Sequence, residues 1–217
     1  MKSKTSISLW IGVLVVLIAI VGLLSYVVKK LPDEQPVASQ TISTDERPGD
    51  YIKGSGAVVI IEYADYQCPA CAAYYPIMKK IMEDKELEGK VKQIYRNFPL
   101  IQIHQNAKYA AYAAEAASLQ GKFWEMHDVL YERQSDWAER ADAKKIFTDY
   151  AKTIGLDADR FVKDFDSDAV QDRVSGDYTE AVRLGLSSTP TFFLNGKKII
   201  NPRSYEDFRA LIQQAIN

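Results

Sequence analysis

The chain has 217 residues and two cysteines, Cys68 and Cys71, with only Pro69 and Ala70 between them. What surrounds the pair narrows the possible folds more than any other feature. Residues 57–64, AVVIIEYA, are β-branched and mostly apolar, the composition of a buried strand. Residues 68–83 then take up helical spacing, with Ile77 and Ile81, and Met78 and Met82, four apart. The cysteines therefore fall at a strand-to-helix junction. A structural disulfide framework needs more cysteines at longer spacings, and a bridge closing so short a loop removes little entropy from the unfolded chain. A hydrophobic content of 47% suffices for an ordinary core. Reactivity is the better account of the two thiols.

That position has a chemical consequence. A sulfur on Cys68, near the helix N-cap, faces backbone N–H groups without intrahelical partners and the positive end of the helix dipole. Both favour thiolate over thiol and lower the pKa. Pro69 suits the first helical position, where its fixed φ is already helical and its missing donor is not required. Cys71, one turn on, is close enough to bridge to Cys68 and is expected to be more buried. Cys68 is thus the expected attacking sulfur, forming a mixed disulfide with a client, and Cys71 the resolving thiol. In the oxidising direction Cys68 leaves as a stabilised thiolate.

Residues 91–98, VKQIYRNF, read as a second strand, and helical stretches follow at 104–119, 122–132, 142–154, 157–165 and 169–184. Residues 191–194 and 197–200 form short strands around Asn195-Gly196, a strong hairpin signal. Residues 204–216 close as a helix with Ser204 as N-cap. Pro76 is expected to kink the first helix. The first strand–helix–strand fits a parallel unit, and the hairpin adds antiparallel strands. The expected architecture is an α/β domain over 51–217 with a central mixed sheet and a helical insertion at about 104–186.

Residues 7–28 are apolar apart from Ser8, Ser25 and Tyr26, and carry no charge. At ~1.5 Å per residue such a helix is ~33 Å long, enough for a bilayer core of ~30 Å. A secretory signal has a shorter apolar region followed by small residues, whereas this run ends in Tyr26, Val27, Val28, Lys29 and Lys30. Residues 1–30 are therefore expected to form an uncleaved transmembrane anchor. Residues 31–50, polar and containing Pro32, Pro36 and Pro48, are expected to be a flexible tether. Lysines on both flanks leave the orientation open. Beyond Lys2, Lys4, Lys29 and Lys30 the chain holds 23 basic against 29 acidic residues, a net of −6, with no basic stripe. That balance argues against nucleic-acid binding. A zinc site needs about four ligands, and neither His104 nor His127 has ligand spacing to the cysteines. A tethered metallochaperone holding copper(I) on the two thiolates is a rival reading, weakened by the lack of a Met-rich segment near them.

Four segments resemble the DsbA-type branch of the thioredoxin superfamily, especially its membrane-anchored bacterial members. They are VVIIEYADYQCPACAAYYP at 58–76, YRNFPL at 95–100, AAEAASLQGKFWEMHDVLYE at 113–132 and GLSSTPTFFLNGKKI at 185–199. The resemblance implies a thioredoxin-like fold and a cis Thr189–Pro190 bond facing the cysteines. The Thr189 backbone would then lie where an extended client segment pairs. It also implies an acid at Glu62, six residues before Cys68. On a period of two Glu62 shares a face with Ile60 and Ala64, so it points inward, where burial raises a carboxyl pKa. It would take the proton from Cys71 when that thiol attacks. Tyr66 and Gln67 are expected to line the site and contact clients. His104 reads as a helix-start histidine, Trp124 as a core residue, and Tyr109 and Tyr112 as helix-packing residues. Ala70 departs from strongly oxidising members, which place a histidine there, and this implies a milder disulfide.

The resemblance further implies a thiol–disulfide oxidoreductase that works on the extracytoplasmic side of a bacterial membrane, at the cell surface or in a periplasm. Such an enzyme would donate its Cys68–Cys71 disulfide to secreted or membrane proteins with free thiols. A membrane redox partner would reoxidise it, and no organic cofactor or metal is implied. Persistent disulfides belong to such oxidising compartments. A reductase or isomerase, serving for instance cytochrome maturation, is the alternative within the same chemistry.

Overall fold

The computed structural model describes residues 10, 13, 14, 16, 17, 19–23 and 41–216, in two units, Met1–Ser39 and Gln40–Asn217. In the first unit the described residues are helical and expose apolar side chains, among them Trp10, Leu14 and Leu23. Among the described residues no helix is long and apolar enough to cross a membrane. Most of the anchor expected over 1–30 lies outside them.

The second unit is built on a mixed sheet. Its strands are β1 (Tyr51–Gly54), β2 (Val58–Ala64), β3 (Val91–Asn97), β4 (Thr191–Leu194) and β5 (Lys197–Lys198), in the order β1-β3-β2-β4-β5. β2 and β3 are parallel, joined through α1 (Pro69–Glu83), and every other neighbouring pair is antiparallel. β2 lies at the centre and all of its residues are buried, which is why its sequence is a near-continuous apolar run. The β4–β5 turn follows from its two residues. Asn195 and Gly196 have φ of 47° and 78°, the left-handed pair that a type I′ hairpin turn requires. The Asn195 side-chain oxygen also accepts from the Val59 N–H at 2.9 Å, pinning the hairpin to β2.

Between β3 and β4 the chain runs through α2 (Ala107–Ser118), α3 (Phe123–Glu132), α4 (Gln134–Trp137), α5 (Ala143–Thr153), α6 (Ala158–Phe165) and α7 (Asp168–Arg183). This is the expected insertion, with α4 as a short element that the sequence pattern did not signal. α8 (Tyr205–Ile216) closes the unit, and the Asp207 N–H donates to Ser204 Oγ at 3.1 Å, so Ser204 caps it as expected. α1 continues through Pro76.

Three apolar cores result. Val58, Ile60 and Phe192 pack under Met78 and Ile81 of α1 and Phe208 and Ile212 of α8. On the other face, Val59, Ile61, Tyr63 and Phe193 meet Ala181 of α7. The third core fills the insertion, and both cysteines border it together with Ala64 and Tyr75. The alanine-rich face of α2 permits that packing, since its small side chains let neighbouring helices approach closely.

Of the tether expected over 31–50, residues 31–40 lie outside the described residues, and 41–50 are bound to the domain. Thr41 bridges to Lys197, and the Ile42 N–H donates to the Gly196 carbonyl at 2.7 Å. Arg47 pairs with Asp177 at 3.1 Å and with Glu180, both on α7, and β1 follows directly. Asp50 is buried and pairs with buried Arg96 at 3.1 Å. Residues 41–50 are thus an arm bound to the domain. Their polar composition mimics a linker because their partners lie far along the chain. Burial pushes the Asp50 carboxyl up, but hydrogen bonds from Arg96 and the Arg47 N–H, with the charge of both guanidiniums, hold it below its ordinary value. The contribution of Asp50 to stability is therefore present above the unfolded carboxyl value and is lost as pH falls through the lower folded one. Asp50→Asn leaves buried Arg96 with Glu180, at 3.5 Å, as its remaining counter-charge, and urea unfolding at neutral pH is expected to show a loss of about 3 kcal/mol.

Candidate active site

β2 ends at Ala64, and the four residues that follow turn the chain into α1. Cys68 is the helix N-cap, with extended φ and ψ of −68° and 122°, and Pro69 occupies the first helical position. Pro69 and Ala70 are exposed. Cys68 retains 7% of its surface and Cys71 none. Both are free thiols. The second cysteine is the more buried, as its place one turn into the helix dictates.

The two sulfurs ionise in opposite directions. The hydrogen bond from Cys71 is the largest influence on Cys68 and lowers its pKa. Burial opposes this, but the Thr189 side chain and the backbone N–H groups of Cys71 and Ala70 add to the lowering, and the thiol falls to about 5. Burial pushes Cys71 well above its ordinary value, and the Cys68 anion adds to the rise. At neutral pH the pair is one thiolate and one thiol. The gain on Cys68 belongs only to the reduced protein, because a disulfide has no proton to lose. As pH rises from about 5 towards the ordinary cysteine value, the reduced form is stabilised more and more; below the folded value the gain is gone.

The loop before β4 faces the cysteines. Thr189–Pro190 is cis, and the Cys68 thiol donates to the Thr189 carbonyl at 3.5 Å. The Thr189 hydroxyl is buried without a hydrogen-bond partner. A thiolate on Cys68 gives it an acceptor. Asn201 holds the loop from behind through Nδ2 to the Pro190 carbonyl at 2.7 Å.

Glu62 is buried on the β2 face that carries Ile60 and Ala64, as period-two alternation requires. Burial raises its carboxyl to about 7, and Gln93 Nε2, donating to Oε2 at 2.9 Å, offsets part of the rise. No direct hydrogen bond joins Glu62 to Cys71, but its charge is felt at that sulfur. Gln93 was not singled out in the sequence. Its place on β3 opposite Ile60, the neighbour of Glu62 on one face of β2, comes from strand pairing, which the sequence pattern does not show.

Tyr66 and Gln67 are placed differently from their expected role at a client-facing surface. Tyr66 is 1% exposed and packs against Tyr95 and Tyr131 with ring centroids 5.2 and 5.0 Å away. Gln67 is buried, and its amide is spent on the insertion: Nε2 donates to the Ala138 carbonyl at 2.7 Å and Oε1 accepts from the Asn106 N–H at 2.6 Å. Both side chains point away from solvent because the insertion covers the turn that carries them. Two further residues join the site. Gln134 Nε2 donates to the Tyr66 carbonyl at 2.7 Å and the Cys68 carbonyl at 3.1 Å. Asp65 accepts through its side chain from the N–H groups of Gln67 and Leu100 and meets His104 Nδ1 at 2.6 Å. Trp124 lies at the edge of the insertion core, its indole N–H donating to the Ile52 carbonyl at 3.3 Å.

Thiolate absorbance of the full reduced chain is expected to titrate with a midpoint near about 5 for Cys68. Thr189→Val removes the hydroxyl and is expected to raise that midpoint measurably; an unchanged midpoint would remove Thr189 from the account.

A family model described as thioredoxin matches residues 53–214. The Na(+)/H(+) antiporter NhaA 3 of Salinispora tropica is 36% identical over 168 residues, covering 76% of this chain and 24% of that protein. The antiporter NhaA 1 of Mycolicibacterium vanbaalenii is 34% identical over 170 residues, covering 76% and 26%. The chain thus spans about a quarter of the length of these curated relatives. Among solved structures, oxidised BdbD from Bacillus subtilis aligns with a TM-score of 0.70 at 25% identity, over 82% of this chain and 97% of that one. Wolbachia pipientis alpha-DsbA1 aligns with a TM-score of 0.70 at 21% identity, over 79% and 92%. With its cysteine pair at the head of α1 and a helical insertion over the sheet, the chain belongs to the thioredoxin family and has a DsbA-like fold.

Proposed function

We propose that this chain is a thiol–disulfide oxidoreductase, a dithiol oxidase working outside the cytoplasm and donating the Cys68–Cys71 disulfide to secreted or membrane proteins. The observation that carries the reading is the Cys68 sulfur at the α1 N-cap, its pKa lowered to favour the thiolate, beside a buried, neutral Cys71. A stabilised thiolate favours the reduced protein, so its disulfide is correspondingly oxidising. Ala70 supplies no charge to that thiolate, so the stabilisation rests on backbone N–H groups, Cys71 and Thr189.

A client thiolate attacks Cys68 Sγ, the Cys68–Cys71 bond breaks, and Cys71 leaves with the electron pair and takes up a proton. In this reading Glu62, raised to about 7 by burial, exchanges that proton, a role that its charge at the Cys71 sulfur supports. A second client thiolate then attacks the client sulfur of the mixed disulfide and expels Cys68 as its thiolate. The client is oxidised by two electrons and the cysteine pair is reduced. A membrane-embedded partner would return it to the disulfide. The cis Thr189–Pro190 segment, buried against Cys68, is the proposed edge for an extended client.

The uncharged apolar run at 7–28 supports an anchor that holds the domain at a membrane, and oxidising chemistry supports the extracytoplasmic side. Antiporter relatives that contain a similar stretch within longer chains agree with a domain operating there. The oxidised full chain, mixed with a reduced, denatured secreted protein, is expected to form client disulfides in proportion to the enzyme added. Cys68→Ala and Cys71→Ala, neither of which can hold the Cys68–Cys71 disulfide, are each expected to abolish this. Undiminished client oxidation by Cys68→Ala would reject the reading.

A further inference from the structure

Asp65 touches both cysteines through its backbone. Its N–H donates to Cys71 Sγ at 3.5 Å, and its carbonyl accepts from the Cys68 N–H at 3.1 Å. Its side chain is buried and fully engaged. Oδ1 accepts from the Gln67 N–H at 2.8 Å, and Oδ2 accepts from the Leu100 N–H at 2.9 Å and meets His104 Nδ1 at 2.6 Å. His104 is therefore the side-chain partner of this carboxylate and the group beside it able to carry a positive charge. A buried carboxylate without such a partner is costly. The backbone that carries the ring is held, since the His104 backbone N–H donates to the Leu100 carbonyl at 3.0 Å. The loop around it is tied to the end of β2 through the Phe98 N–H and Ala64 carbonyl at 2.8 Å.

We propose that His104 is a positioning residue for the step in which Cys71 carries negative charge: through Asp65 it holds a backbone N–H on the Cys71 sulfur. The proposal rests on the reading that Cys71 resolves a mixed disulfide formed on Cys68. Three titratable groups face Cys71. Cys68 shares its helical turn and opposes a second anion. Glu62 on β2 does the same when charged. Tyr131 on α3 has its hydroxyl engaged with Tyr95 at 3.0 Å. The Asp65 N–H is the fixed donor in this setting, and it favours the Cys71 thiolate. In resolution the Cys71 thiolate attacks Cys68 Sγ. The Cys68–Cys71 bond forms, the bond from Cys68 to the departing sulfur breaks, and that sulfur leaves with the electron pair and is protonated by solvent. The Cys71 proton passes beforehand to Glu62 or water.

The test uses oxidised glutathione with the reduced full chain, quenched with acid and read by mass. Formation of the Cys68–glutathione mixed disulfide and its resolution by Cys71 are timed separately across pH. His104→Ala is expected to leave formation within about twofold, slow resolution about tenfold, and move the pH midpoint of resolution upward, as loss of a hydrogen bond to a charged group requires. His104→Gln, which keeps an amide donor, is expected to recover part of the rate. Resolution by His104→Ala at the wild-type rate would overturn the proposal, and so would equal slowing of both steps. Should the alanine variant fail to fold, His104→Asn, with a shorter reach to Asp65, takes its place under the same criteria. A wild-type chain that forms the mixed disulfide but never resolves it would instead reject the underlying role of Cys71.

Discussion

Ionisation of the Cys68 sulfur depends on where a helix begins. At the N-cap of α1 the Cys68 sulfur faces the backbone N–H groups of Ala70 and Cys71, which the helix leaves without internal partners and which help to lower its pKa. One turn later, Cys71 is enclosed by the insertion core and opposed by burial. The difference between the two sulfurs is made by three elements that must be held together. β2 ends where α1 begins, the cis Thr189–Pro190 segment closes over Cys68, and the insertion buries Cys71. Moving the helix start by one residue would take Cys68 out of reach of those N–H groups and expose Cys71.

Polar residues that lie within apolar surroundings maintain this arrangement. Gln67 and Gln134 spend their amides on tying the turn at 65–68 to the insertion, so the insertion is part of the site and not merely a cover over it. Glu62 and Gln93 place one exchangeable proton behind the buried sulfur. Further away, Asp50, Arg96, Asp177 and Arg47 clamp the arm at 41–50 across β3 and α7.

Much of the site was legible because its determinants are local. The strand, the N-cap, Pro69 and the one-turn spacing of Cys68 and Cys71 lie within one stretch of chain, and alternation along β2 placed Glu62 on the inner face. The Asn195-Gly196 turn was equally plain, since both residues tolerate positive φ. Residues whose role depends on distant partners were not. Arg47 and Asp50 looked like linker charges, although their partners at Asp177 and Arg96 lie on α7 and β3. Tyr66 and Gln67 precede a reactive cysteine and so suggested a client surface. The insertion, which sequence pattern could not dock, covers them. Asp65 and His104 are separated by a strand and a helix, and nothing in their spacing announces a pair.

The account turns on whether stabilisation of the Cys68 thiolate outweighs the missing charge at Ala70, and the reduction potential of the Cys68–Cys71 pair measures that balance directly. Equilibration of the full chain in glutathione buffers of defined ratio would yield it. A potential near about −120 mV, that of a strong dithiol oxidant, is the result this account predicts. A potential near about −270 mV, that of a thioredoxin-like reductant, would contradict it and reverse the direction of electron flow.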